Sequence, residues 1–431
     1  MDGAAPIPLI GAVFQKMLSA IPCGPHFVSQ SGKSKSLFVP TYNNSLRLVF
    51  ADVINTLATD PFISGMKMKR REFVGGLAAA AGLSACAQEK TDCDDATAVA
   101  GETFEWSCVT SWPPKFPGLG MAPENVATGI EAASGGRIRV KVYGAGELVP
   151  AFEVFDAVSR GTVEMGHGAS YYHKGKLDAA QFFTAIPFGM TNTELNGWMY
   201  YGGGLELYRE LYEPFNLVPF PTGNTGVQMG GWFNKEINSI DDLKGLKMRI
   251  PGLGGEVLRR AGGTPVTLPG AEIFTALQTG AIDATEWVGP YNDSSFGLHK
   301  AARYYYYPGW QEPGPGLETI VNKAAWESLP ADLQAIVETT CQAVTTDMAA
   351  EYTNGNAMSL AQLQQDENIE IRPFPEEVLS LLKSITKEVV EELMATDPAS
   401  AKIGKAYFEF LEKVSANSRI SEKAYLAARD Y

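Results

Sequence analysis

The chain has 431 residues, 45% of them hydrophobic and 19% charged, which is enough to fill two compact lobes and too apolar for disorder to dominate. Lysine and arginine number 35 against 49 acidic residues, a formal charge of -14, and no basic stripe with interleaved aromatics runs through the sequence. Nucleic acid and anionic membrane surfaces are therefore excluded as expected partners, and five cysteines and four histidines without a CxxC pair or an HExxH helix argue against a zinc or thiol enzyme.

In chain order, residues 1–65 show no periodicity and scattered Pro, Ser and Asn. They read as a mis-assigned extension ahead of a start at Met66 or Met68. Lys69-Arg70-Arg71-Glu72-Phe73-Val74 then places paired arginines before an apolar stretch, 73–85, that is too short for a permanent membrane span. This is an export signal over 66–86, and it resembles a twin-arginine signal. Leu83-Ser84-Ala85-Cys86 resembles a lipobox, in which the Cys86 thiol would be acylated; ordinary cleavage after Ala85 or Ala87 is the competing reading. Both place the body in the periplasm. Cys93, Cys108 and Cys341 remain there, and a disulfide among them and buried free thiols both stand open.

After a polar linker over 87–101, residues 103–110 read as a strand, 113–120 as a Pro/Gly loop, 124–133 as a helix and 137–143 as an alternating strand. Helices are expected over 151–159 and, capped by Thr193, in one long run toward Tyr212. The second half repeats the theme: strands at 227–233, 246–250 and 265–268, helices at 254–261 and 271–279. Strands separated by helices of about ten residues imply an α/β fold with mostly parallel sheets and ligands at the strand ends. From Pro330 the pattern turns helical, with Leu333, Ile336, Val337, Val344 and Met348 at helical spacing, and only 369–372 looks extended. Helices over 376–396 and 399–430 close the chain.

Pro251-Gly252-Leu253-Gly254-Gly255-Glu256 follows a strand and opens a helix, but Val257 stands where a dinucleotide fingerprint needs its last glycine. A tight turn with helix amides facing an anion fits better. His167, His173 and His299 are isolated and read as structural. Arg249 stands one residue before the end of the 246–250 strand, where a guanidinium offers a carboxylate two parallel donors.

Lys244-Gly245-Leu246-Lys247-Met248-Arg249-Ile250, Thr275 to Ala284, Glu286-Trp287-Val288-Gly289-Pro290-Tyr291, Trp310-Gln311-Glu312-Pro313, Thr110-Ser111-Trp112-Pro113 and Ala185-Ile186-Pro187-Phe188-Gly189 occur in the order seen in one family. The chain resembles the substrate-binding proteins of tripartite ATP-independent periplasmic (TRAP) transporters, in their 2-oxo acid branch. The resemblance implies a two-lobed periplasmic binding protein, type II-like, with an interlobe cleft, crossing strands and a long C-terminal helical extension. It implies a first lobe over 102–226 with part of 289–325, a second over 227–288 with part of 326–374, and a dimerising helical segment over 375–431.

It further implies that Arg249 clamps the ligand carboxylate and that Gln228, Glu286, the carbonyl of Trp287 and Glu312 hold Na+ or Ca2+ beside the ligand. Two carboxylates, one arginine and a monoanion leave two negative charges in a closed cleft. At about 4 Å and an effective dielectric near 20, like charges repel by roughly 4 kcal/mol, so a hard cation is required. Tyr171, Tyr172, Trp287 and Tyr291 are expected as an aromatic wall. The implied function is capture of a small 2-oxo acid such as pyruvate and delivery to TRAP membrane subunits by a homodimer without catalysis. Lactate, another organic acid or a dicarboxylate are the alternatives within the fold; a twin-arginine-exported oxidoreductase and a periplasmic sensor subunit are those outside it.

Overall fold

The computed structural model describes residues 101–430. The extension over 1–65, the export signal with Arg70, Arg71 and Cys86, the linker up to residue 100 and Cys93 lie outside the described residues. Two mixed sheets organise the rest. Strand β1 (Phe104–Thr110) pairs in parallel with β2 (Ile138–Tyr143) and β3 (Met165–Gly168), and β10 (Gly316–Asn322) runs antiparallel between β3 and β4 (Leu217–Asn224), giving the order β2-β1-β3-β10-β4. The second sheet has the order β11-β9-β5-β8-β6-β7, from β5 (Gly231–Phe233), β6 (Lys247–Arg249), β7 (Thr264–Val266), β8 (Ala284–Thr285), β9 (Tyr304–Tyr307) and β11 (Glu370–Pro373).

Residue chemistry explains the placement. β2 alternates exposed Arg139 and Lys141 with the more enclosed Ile138 and Val140, the mark of an edge strand with one face on the core. β10 is buried along nearly its whole length, as a central strand must be. The expectation of mostly parallel sheets is corrected, because β10 and β5 each pair antiparallel with both neighbours. Both strands directly follow a passage of the chain between the sheets, at 225–230 and 308–315, and enter the new sheet against its grain.

The helices fall close to their expected bounds, with three differences. Thr191, not Thr193, caps the helix Asn192–Tyr201, because only Thr191 has a glutamate three residues on to close a capping box. That helix stops at Gly202, and Gly203 at φ +86 starts a separate helix, Gly204–Tyr212. The C-terminal helix breaks at Ser421 into Pro398–Ile420 and Glu422–Arg429. The expected strand at 227–233 shrinks to Gly231–Phe233, since its first half is an inter-sheet passage.

A 33-residue helix, Ala331–Leu363, about 50 Å long, lays Leu333, Val337, Cys341, Val344, Met348 and Tyr352 against β4, the helix Met121–Ala133 and the helix Pro290–Phe296. Cys108 and Cys341 are buried free thiols, and burial pushes both well above the usual thiol range. No helix among the described residues is long and apolar enough to cross a membrane.

Candidate functional site

Arg249 is the last residue of β6, whose parallel neighbour β8 sets Arg249 opposite Thr285 and so delivers Glu286 beside the guanidinium. Both side chains are buried, at 1% exposure, and Arg249 Nη1 donates to a Glu286 carboxylate oxygen. Nη1 also reaches the Glu286 carbonyl at 3.3 Å, and Nε donates to the Leu268 carbonyl at 3.2 Å. The Trp287 ring lies 5.2 Å below the guanidinium, a cation–π contact that fixes its plane. Arg249 Nη2 is buried without a partner. One charged donor is thus held ready and unused.

Gln228 and Glu312 come from the two short passages between the sheets, 225–230 and 308–315, which grip each other there. The Gln228 N–H donates to the Glu312 carbonyl at 3.2 Å, and Gly309 N–H to the Gln228 carbonyl at 2.9 Å. The Gln228 amide nitrogen reaches Glu312 Oε2 at 2.8 Å and Thr225 Oγ1 at 3.2 Å, leaving Gln228 Oε1 buried and unpartnered. Burial pushes the carboxyl of Glu312 well above the usual range, the charge of Glu286 adds to that, and Arg249 opposes it. Glu286 is pushed up as well, by burial first and by Asp293, again against Arg249. Two buried carboxyls sharing one arginine are short of positive charge.

The turn Ser170–His173 brings Tyr171 and Tyr172 to the same place. Their rings meet edge to face at 4.7 Å, and burial raises both phenols. Gly252, at φ +60, opens its helix directly against the Tyr171 ring, so this helix N-terminus stands beside the cluster. Trp112, which the sequence singled out only within a motif, bridges the aromatics with ring centroids 6.1 Å from Tyr172 and 6.3 Å from Trp287. Its indole N–H donates to His167 Nδ1 at 2.8 Å, so the His167 Nε2–H faces the Thr222 carbonyl at 3.1 Å and the ring is neutral; burial lowers its pKa to about 4.

The structure brings together Gln228, Arg249, Glu286, Trp287, Glu312, Tyr171 and Tyr172. Tyr291 is turned elsewhere: its hydroxyl donates to Glu351 of the long helix at 3.0 Å and its ring packs on Tyr352. Sequence reasoning missed Trp112 as wall and Asp293 beneath the 286–289 loop. A tryptophan followed by Pro113 in a loop was the available signal for the first.

No group of three or more His, Cys, Asp or Glu side chains gathers among the described residues. A cation here would take its remaining donors from neutral oxygens. Gln228 Oε1 has no partner, and no donor among the described residues reaches the Trp287 carbonyl oxygen. Two carboxylates and two neutral oxygens are an all-oxygen set, which fits a hard cation and not a zinc-type metal.

Another buried carboxylate, Glu318, is differently made. Glu318 of β10 accepts from Tyr212 at 2.8 Å, Ser170 at 3.0 Å, His173 Nε2 at 2.6 Å and the Tyr208 hydroxyl. Burial pushes it up, yet His173 and the two tyrosine hydroxyls outweigh burial and hold it below the usual range.

The chain was compared with families, curated proteins and solved structures. The family of bacterial extracellular solute-binding proteins, family 7, matches residues 108–397. A monocarboxylate 2-oxoacid-binding periplasmic protein of Nostoc sp. (strain PCC 7120) is 42% identical over 361 residues, covering 83% of this chain and 98% of that protein. A TRAP periplasmic solute-binding protein from Colwellia psychrerythraea, solved with bound calcium and pyruvate, is 43% identical at TM-score 0.74, over 76% of this chain and 100% of that one. A TRAP periplasmic solute-binding protein from Pseudoalteromonas atlantica T6c, with bound sodium and pyruvate, is 45% identical at TM-score 0.74, over 76% and 99%.

Proposed function

The chain belongs to the family 7 bacterial extracellular solute-binding proteins, the receptors of TRAP transporters, and we propose that Arg249, Gln228, Glu286, Trp287 and Glu312 capture a small 2-oxo monocarboxylate, pyruvate or a near relative, with Na+ or Ca2+. The observation that carries this is a single buried guanidinium with Nη2 unpartnered, facing two buried carboxyls that burial pushes up.

Arg249 Nη2 supplies a charge-assisted hydrogen bond to the ligand carboxylate, while Nη1 and Nε hold the guanidinium in place. When bound, the cation offsets Glu286 and Glu312 and offers the ligand a positive centre for a carboxylate oxygen and the adjacent keto oxygen. Gln228 Oε1, the Trp287 carbonyl and the two carboxylates are the donors it would use. Tyr171, Tyr172, Trp112 and Trp287 exclude water around the rest of the molecule. A second carboxylate on the ligand would add a negative charge that nothing among these residues offsets, which favours monocarboxylates. The protein is a receptor, and binding needs no nucleophile or general base.

Calorimetry with pyruvate and with lactate, before and after metal removal, tests the reading. Arg249→Ala is expected to weaken pyruvate binding by about 100-fold or more, since it removes the carboxylate donor and leaves Glu286 unpaired. Unchanged affinity in that variant ends the clamp assignment.

Three further readings follow the same family pattern. The first lobe covers 102–226 with part of 289–325 and the second 227–288 with part of 326–374, closing by bending at 225–230 and 308–315. Residues 375–431 join two copies: Ile420, Tyr425 and Leu426 are exposed on the last helices, and a separate apolar groove of about 400 Å³ is lined by Ile186, Phe188, Val390, Met394 and Phe408. Light scattering of the protein truncated after residue 419 separates a dimer from a monomer. Export follows the Arg70-Arg71 signal, and the mass of the mature N-terminus tells acylation at Cys86 from plain cleavage.

A further inference from the structure

The loop 286–289 spends its carbonyls unevenly. Glu286 O accepts from Thr285 Oγ1 at 2.8 Å and from Arg249, and Val288 O accepts from Met229 N–H at 2.9 Å. Among the described residues the Trp287 oxygen takes no donor. The same peptide unit ends in the Val288 N–H, which in a trans peptide points opposite to the carbonyl. That N–H donates to Asp293 Oδ1 at 3.1 Å, and the Gly289 N–H donates to the same oxygen at 3.1 Å. The other carboxylate oxygen accepts from Trp232 Nε1 at 3.1 Å and the Tyr305 hydroxyl at 2.7 Å. Asp293 is fully buried, in the first turn of the helix Pro290–Phe296, with its own N–H on the Gly289 carbonyl at 2.9 Å.

We propose that Asp293 is a positioning residue of the cation site: by holding the Val288 and Gly289 N–H groups on one oxygen, it aims the Trp287 carbonyl oxygen toward the cation. The proposal rests on the cation reading above. Two charge-assisted hydrogen bonds to consecutive amides fix the loop's peptide planes against rotation. Donation from the Val288 N–H also polarises its peptide and raises the negative charge on the Trp287 oxygen, which suits a hard cation. Trp232 and Tyr305 satisfy the far oxygen, so the buried carboxylate is paired on both sides, while the hold on the loop rests on the near oxygen alone. Groups one shell out from a metal orient its ligands in this way, and their loss commonly weakens binding ten- to a hundred-fold.

The test is calorimetric titration of calcium chloride into protein saturated with pyruvate, for wild type, Asp293→Asn and Tyr305→Phe, with the melting temperature of each measured without metal. Asp293→Asn is expected to weaken calcium roughly ten-fold or more. Tyr305→Phe lowers the melting temperature by removing a donor from the far oxygen, yet keeps calcium affinity within about two-fold, because the Val288 contact survives. Folded Asp293→Asn with wild-type calcium affinity overturns the proposal. So does a Tyr305→Phe loss as large as that of Asp293→Asn, which would make the effect one of stability alone. Should Asp293→Asn fail to fold, a crystal structure of wild type with calcium and pyruvate decides. Trp287 O at about 2.3–2.6 Å from the ion, with Val288 N–H still on Asp293, supports the proposal; Trp287 O directed elsewhere overturns it. Wild type indifferent to both calcium and sodium overturns the cation reading and this one together; where only sodium acts, the same titrations are run with sodium chloride, and cation-dependent wild type with an indifferent Asp293→Asn overturns this one alone.

Discussion

Two buried carboxylate centres stand a few residues apart in this protein, and they are built to opposite plans. Around Glu318, His173, Ser170, Tyr208 and Tyr212 all donate, and the carboxylate is held below its usual range. Around Glu286 and Glu312 a single arginine serves two acids, both are pushed up, and Arg249 Nη2 and Gln228 Oε1 stay unpartnered. The first centre is complete within the chain and pins the turn that carries Tyr171 and Tyr172. The second is complete only with something added, and what is missing is positive charge and an acceptor for one N–H. Burial alone therefore does not tell the two centres apart; the balance of donors and positive charge around each carboxyl does.

That contrast can be broken most directly at Glu318. Glu318→Gln leaves His173 facing a neutral amide in a buried site, and the expected loss is about 3–5 kcal/mol in urea unfolding. A loss under about 1 kcal/mol would mean the centre is no more committed to structure than the other. The saturated Trp112–His167–Thr222 chain gives a pH signature. The unfolded His167 takes a proton near its ordinary pKa of 6.5, while the buried ring resists until about pH 4. Stability is then full above pH 6.5 and declines by about 3 kcal/mol as pH falls toward 4. His167→Gln, which keeps a donor for the Thr222 carbonyl, should flatten that part of the profile, as read by unfolding between pH 7 and 4.5.

The incomplete centre is sharpened by loading it. Pyruvate with calcium at about 100 times the dissociation constant should add about 2.7 kcal/mol of stability, and a chelator should remove most of it. Stabilisation by pyruvate that survives both chelation and replacement of sodium by a bulky organic cation would take the cation out of the site. The smallest effect is expected at Tyr291→Phe, with about 1 kcal/mol lost from the hydrogen bond to Glu351 and no change in pyruvate affinity. An affinity change there would return Tyr291 to the aromatic wall.

Much of the frame was legible because it repeats locally. The strand and helix alternation from 246 to 279 and the bounds of the helix Glu376–Thr396 follow from period and composition, with the strand expected over 246–250 trimmed to Lys247–Arg249. What escaped depends on distant partners. β10 does not read as a strand, because Glu318 and Thr319 interrupt its apolar run, and only the four donors gathered from 170, 173, 208 and 212 make a buried carboxylate tolerable there. β9 presents four tyrosines in a row, a pattern that shows neither face. Tyr291 looked like a cleft residue by its neighbours in sequence, and it turned on a glutamate 60 positions away. Asp293 was silent because its donors are backbone amides, which no side-chain motif records.

Gln228 and Glu312 sit on two of the three stretches of chain that join one sheet to the other, and they are hydrogen-bonded to each other there. On the proposed reading, bending those two stretches would move the very oxygens that grip the cargo, so dwell time and domain opening would share one set of atoms. Selection for scarcer cargo would therefore act on the joint itself, and a receptor that holds longer would also be one that lets go more slowly at the membrane.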